Sequence, residues 1–96
     1  MDHRQAAQDH VQAIITLVGS DPSNEAFRPL REECEWLVRA ISAFHLEGIR
    51  FRMFNVDRLL TRGQLPVPDE VLTSFAAARR ELEAAGFHTR SHQAPS

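Results

Sequence analysis

The histidines are the first residues of this chain whose spacing could support chemistry. His88 and His92 are four residues apart, as two metal ligands on one helix face would be, and His3 and His10 are seven apart. The sequence has no HExxH motif, and no Glu-x-x-His motif on a core face. His88 and His92 also follow Gly86, in a polar tail that we expect to be flexible. We therefore expect surface histidines and no metal site.

Cys34, the single cysteine, is a candidate nucleophile. It lies on the same apolar stripe as Leu30 and Leu37, so we expect a buried, unreactive thiol. We find no Ser-His-Asp arrangement, glycine-rich phosphate loop or pair of core carboxylates. The sequence therefore predicts a protein that is not an enzyme and has no cofactor. One cysteine allows no internal disulfide, which favours a reducing, cytoplasmic location.

His45 is a third candidate, within the segment His45-Leu46-Glu47-Gly48. This segment is similar over four residues to the motif of histidine phosphotransfer bundles, which present an exposed histidine near a lysine and a glycine. The resemblance implies a phosphoryl acceptor at His45. The glycine comes one residue early, Glu47 stands where a cation is expected, and the chain contains no lysine. We expect a structural histidine, and keep histidine phosphotransfer or metal binding as remote alternatives.

Four arginines interleaved with aromatic residues could contact phosphates. These are Arg50, Arg52, Arg58 and Arg62. Arg58 and Arg62 share a helix face, and phosphate contacts are the main source of affinity for nucleic acids. The whole chain, however, carries 11 basic and 13 acidic residues and a net charge of -2, which is unusual for a dedicated nucleic-acid binder. A nucleic-acid-binding regulator is therefore our second hypothesis.

The elements that position these residues are helical. We predict a first helix over about residues 2–18, a central helical segment that begins between 24 and 29 and ends near 62, and a last helix over about 68–85. Apolar residues recur at helical spacing of three or four in each segment. Pro29 and Pro68 suit first turns, and Gly86 suits a helix end. The alternation over residues 49–53 leaves a strand there as the minority alternative.

The central segment allows two architectures. If it is one straight helix of some 35 residues, it is about 50 Å long, and two short helices cannot cover it on both sides. If it bends sharply at Gly48, the chain forms a compact four-helix monomer. Glycine is costly inside a helix, which makes Gly48 the expected point of bending.

The same segment carries a second apolar face, which includes Trp36, Phe51 and Phe54. A peripheral helix needs one apolar face only. Trp, Phe and Arg are common at the centres of protein interfaces, so we predict that Trp36, Phe51, Phe54 and Arg58 contact a partner or a second copy. The alternative is that the first and last helices cover both faces.

The sequence as a whole predicts an all-α bundle of three to four helices with a long or kinked central helix, associating as a dimer. Its 96 residues, 43% of them hydrophobic, fit one domain over residues 1–87 with a flexible tail over 88–96. No run of apolar residues is long enough to span a membrane. The predicted function is non-enzymatic protein interaction, as a homodimeric regulatory, adaptor or accessory protein.

Overall fold

The computed structural model describes residues 2–19, 25–62 and 65–87, and these residues form four α-helices. The helices are α1 (His3–Gly19), α2 (Arg28–Ser42), α3 (Leu46–Arg62) and α4 (Asp69–Ala84), with a 3-10 turn at Glu25–Phe27 before α2. The prediction of an all-α bundle is confirmed. The strand alternative is wrong, because residues 49–53 lie within α3, where Ile49 and Met53, four positions apart, are both buried.

Two of the predicted helix ends are also present. Pro29 lies in the first turn of α2, where a missing N–H costs no hydrogen bond. α4 ends in a Schellman motif with Gly86 at a φ of 91°. In this motif the Phe87 N–H donates to the Leu82 carbonyl at 2.9 Å, and the Phe87 ring is buried.

The central segment is two helices, and the break between them comes before Gly48. α2 ends in a second Schellman motif, in which the His45 N–H donates to the Ala40 carbonyl at 2.9 Å. The residue in the left-handed region is Phe44, with a φ of 51°. Bending at Gly48 is therefore wrong, since Gly48 lies in the first turn of α3.

Gly48 has a different role, which is to leave room for a helix cap. Its backbone N–H donates to His45 Nδ1 at 2.9 Å, so His45 caps α3 through its side chain. A Cβ at Gly48 would lie 2.8 Å from that nitrogen and 3.3 Å from the Ala40 Cβ. The glycine thus permits both the cap and the close approach of α3 to the end of α2.

One core joins the four helices. Within each helix the buried side chains recur at every third or fourth position, and Phe27 and Phe87 join them from outside the helices. The buried residues are Ala7, Val11, Ile14, Val18, Phe27, Leu30, Cys34, Leu37, Ile41, Ile49, Met53, Val56, Val71, Phe75, Ala78, Leu82 and Phe87. The helical spacing of apolar residues also predicts a buried position for four residues that are exposed, because they lie at a helix end or on an outer face: Phe44, Leu46, Leu72 and Ala85.

The order of packing decides which faces stay open. α1 packs against α2 and α4, whereas α3 packs mainly against α2. The described part of the chain measures 38 × 30 × 21 Å, so the straight central helix of about 50 Å is excluded. The length of the central segment therefore gives no support to the predicted dimer interface. That prediction depends instead on the side chains exposed on α3.

The predictions about membrane spans and about the C-terminal tail can be compared with the described residues only. Within the described ranges, no helix is both long and apolar enough to cross a membrane. The predicted flexible tail, 88–96, lies outside the residues that the structure describes.

Candidate functional site

The outer side of α3 carries two exposed phenylalanine rings. The exposed fractions are 56% for Phe51 and 41% for Phe54. On an ideal helix their side chains point away from the buried Ile49, Met53 and Val56 of the same helix. These rings are therefore not part of the core. A helix face of this kind is ordinarily polar in a monomer, so two aromatic rings there require an explanation.

Trp36 extends this apolar area across the groove between α2 and α3. Its side chain is 49% exposed. The guanidinium carbon of Arg52 lies 5.1 Å from the centre of the Trp36 ring and 4.9 Å from that of Phe51. Arg39 lies 4.9 Å from the Trp36 ring. The cations and rings are at cation–π distance, which holds the aromatic side chains in defined positions at the surface.

Arg52 is fixed by an acid of the neighbouring helix. Its Nη1 donates to both oxygens of Glu33, at 3.0 and 3.2 Å, and the pair is partly buried. Asn55 donates to Glu33 as well, at 3.2 Å. Such an ordered pair between helices is stronger than an ordinary surface ion pair. Glu33 therefore holds the Arg52 guanidinium at the position where it contacts both Trp36 and Phe51.

Arg58 continues the outer face of α3 one turn beyond Phe54. Its guanidinium lies 5.7 Å from the Phe54 ring. We call Trp36, Phe51, Phe54 and Arg58 the aromatic surface. Two shallow grooves adjoin it on either side of Phe54: one is lined by Glu47, Arg50, Phe51 and Phe54, the other by Phe54, Asp57, Arg58, Thr61 and Arg62. All four residues predicted for the interface thus lie at the surface of α2 and α3.

The four arginines considered for phosphate binding do not share one environment. Arg52 is paired with Glu33, and Arg50 lies 3.6 Å from Glu47 and 5.5 Å from the Phe87 ring. Arg58 and Arg62 are exposed. Among the described residues no carboxylate forms an ion pair with Arg58 or Arg62, so of the four arginines these two are the better placed to meet a phosphate.

The candidates for catalysis occupy structural positions. Cys34 is buried, as predicted, and burial, assisted by the nearby negative charges of Glu33 and Glu35, raises its pKa from 9.0 to about 12. The group is a neutral thiol at neutral pH and is a poor nucleophile. His45 is exposed, and its Nδ1 accepts the hydrogen bond that caps α3.

The histidines considered as metal ligands are not brought together in the part of the chain that the structure describes. His3 Nδ1 lies 2.7 Å from Glu81 Oε1, a hydrogen bond that ties the start of α1 to α4. Among the described residues, no three His, Cys, Asp or Glu side chains are grouped as a metal would need. His88 and His92 lie outside those residues.

Comparison with known proteins adds no relative. No protein-family model, curated protein or solved structure matches the chain.

Two acids near the aromatic surface were not identified as site residues from the sequence. Glu33 lies 19 positions before its partner Arg52, so no local sequence pattern connects the two residues. Glu47 lies beside His45 in the sequence and was not predicted to contact a partner. Its position four residues before Phe51 is a signal that the sequence does contain, since that spacing places both on one face.

Proposed function

We propose that this protein is a non-enzymatic interaction module that self-associates through the aromatic surface. The observation that carries the proposal is the exposure of Trp36, Phe51 and Phe54 at 49%, 56% and 41% around a fixed arginine. Aromatic side chains held in place lose little conformational entropy on binding, which makes them effective contact residues.

A second copy of the chain is the occupant that best fits this face. The outer side of α3 has an apolar centre, Phe51 and Phe54, with an acid, Glu47, before it and a base, Arg58, after it. A surface that carries both signs of charge at opposite ends can complement itself after a twofold rotation. A strongly acidic or basic partner would find half of this face unfavourable.

Association would leave the fold of each copy intact. The core of the four helices is already closed, so the aromatic surface is an addition to a folded chain. The proposed role is that of a small homodimeric regulatory, adaptor or accessory protein. A cytoplasmic location is part of the proposal, because the single cysteine is a free thiol.

Replacement of Phe51 or Phe54 by Asp tests the aromatic surface. We expect each variant to keep its far-UV circular dichroism, because an exposed ring contributes little to the core, and to lose self-association in light scattering. The matched control is Leu72→Asp, which places the same charge at an equally exposed apolar residue (46%) on α4. Loss of the helical signal in the Phe51 or Phe54 variants would instead assign those rings to the core.

The nucleic-acid hypothesis retains one supporting observation, the exposed pair Arg58 and Arg62 on a single face of α3. Retention on heparin that disappears in the Arg58→Ala/Arg62→Ala double variant would support it. A phosphate-binding role also requires affinity to fall steeply with salt, because binding releases counterions. An arginine in a protein interface does not require that dependence.

A further inference from the structure

The outer face of α3 is arranged so that a second α3 would complement it. Glu47, Phe51, Phe54 and Arg58 are separated by four, three and four positions, so they form one line along the helix. We call this line the α3 stripe. At 100° per residue its mean direction is opposite to that of the buried Ile49, Met53, Val56 side of α3.

The order of residues along the stripe is symmetric in spacing and opposite in charge at its two ends. In an antiparallel pair related by a twofold axis, the first residue of one helix faces the last residue of the other. We propose, building on the proposed function, that two copies pack α3 against α3 in an antiparallel arrangement. In it, Phe51 of one copy faces Phe54 of the second, and Glu47 of one faces Arg58 of the second.

The charges of Glu47 and Arg58 favour the antiparallel over the parallel arrangement. In a parallel pair each residue of the stripe would face its own counterpart, which would bring Glu47 against Glu47 and Arg58 against Arg58. In the antiparallel pair both end contacts join opposite charges, and the four phenylalanine rings meet at the centre. Charged residues at the rim contribute mainly to orientation and register, and the apolar centre contributes most of the affinity.

Both charged groups are accessible for such contacts. The Glu47 side chain is 83% exposed, and its ion pair to Arg50 has a long N–O distance of 3.6 Å. Arg58 is exposed, and its guanidinium lies over the Phe54 ring at 5.7 Å. Each group can therefore reach across to the second copy without breaking a buried ion pair of its own chain.

A charge exchange tests the register. In Glu47→Arg, both ends of the antiparallel pair become Arg against Arg, and in Arg58→Glu both become Glu against Glu. We expect each variant alone to dimerise about tenfold or more weakly than wild type at low salt, since two attractive contacts become repulsive. An equimolar mixture of the two variants should form a heterodimer, because each end of the mixed pair then joins an arginine of one variant to a glutamate of the other.

The double variant Glu47→Arg/Arg58→Glu is the matched control. It carries both substitutions, with any effect that they have on the helix itself, and restores opposite charges at both ends. We expect it to dimerise as wild type does. Sedimentation equilibrium gives the dissociation constants of the four homodimers and of the heterodimer in the mixture, and circular dichroism checks that each variant is folded.

Two results would overturn the inference, and they differ in what they leave standing. If wild type dimerises but the single variants are unaffected, or their mixture recovers nothing, the antiparallel register is wrong and the aromatic surface remains the proposed interface. If folded wild type stays monomeric, self-association fails together with the register.

Discussion

Phe44 occupies a backbone conformation that ordinarily belongs to glycine. Its φ of 51° places it in the left-handed region at the end of α2, and its side chain is exposed with Arg4 at 5.5 Å from the ring. A bulky residue there is strained, and the exposed ring contributes little burial in return. The backbone strain at Phe44 therefore lies at the point where the chain turns from α2 into α3, and burial of the ring does not offset it.

Phe44→Gly should raise the free energy of unfolding by about 1 kcal/mol, because glycine adopts this conformation without a steric cost. Urea denaturation measures the change. Phe44→Ala is the control, since it also removes the ring but keeps a Cβ at positive φ. If the alanine variant gains as much as the glycine variant, the backbone is not the source of the effect.

Cys34 gives the chain a dependence on alkaline pH whose sign follows from burial. Its pKa is raised from 9.0 to about 12, so the unfolded chain loses the thiol proton at lower pH than the folded chain does. The stabilisation is complete below pH 9 and is lost as the pH rises towards 12. The sequence contains no lysine and no tyrosine, so no other side chain with an ordinary pKa in this range interferes.

We expect the free energy of unfolding to fall by up to about 1.4 kcal/mol per pH unit in this range. Cys34→Ala should be less stable at neutral pH, because it leaves a cavity, but should lack the decline. Denaturation at a series of pH values measures both. Parallel curves for the two proteins would show that the decline does not come from the thiol.

At the scale of elements, the helices could be predicted from the sequence but the break between α2 and α3 was displaced. The helices follow from the local periodicity of apolar residues. Two of their ends follow from single residues, Pro29 at the start of α2 and Gly86 after the end of α4. Gly48 was expected to mark the bend because glycine weakens a helix. The actual break uses Phe44, a residue with no local preference for that conformation, and a histidine cap, which is outside the usual set of capping residues.

The cap reverses the effect expected of Gly48→Ala. In an ordinary helix interior this substitution is stabilising by about 1 kcal/mol. Here the new Cβ would lie 2.8 Å from His45 Nδ1 and 3.3 Å from the Ala40 Cβ, so we expect a loss of stability. In a His45→Ala background the loss should be smaller, because the ring is absent. A stabilised Gly48→Ala protein in thermal denaturation would contradict the proposed cap.

Across the whole molecule, the residues of the aromatic surface could be predicted from the sequence, but the ion pair between helices that lies beside them could not. Trp36, Phe51 and Phe54 do not fit the core stripes, and that mismatch is visible in the spacing alone. The contact of Arg52 with Glu33 joins two helices, and it depends on how α2 and α3 pack. Long-range placement of this kind has no local signal.

The packing order also explains why this surface is open. Within the described ranges, α1 lies between α2 and α4 and α3 has one main neighbour, so Phe51 and Phe54 on its outer side are exposed. An interface built from one helix face and its flank is small, at the low end of interface sizes, where transient complexes are common. We therefore expect weak self-association. Self-association should therefore depend on concentration.

The mass of the unmodified protein in solution, measured by sedimentation equilibrium from micromolar to millimolar concentration, tests the central claim most directly. We expect a mass that rises from 10.9 kDa towards twice that value. A folded protein that stays at 10.9 kDa over the whole range would contradict self-association through the aromatic surface.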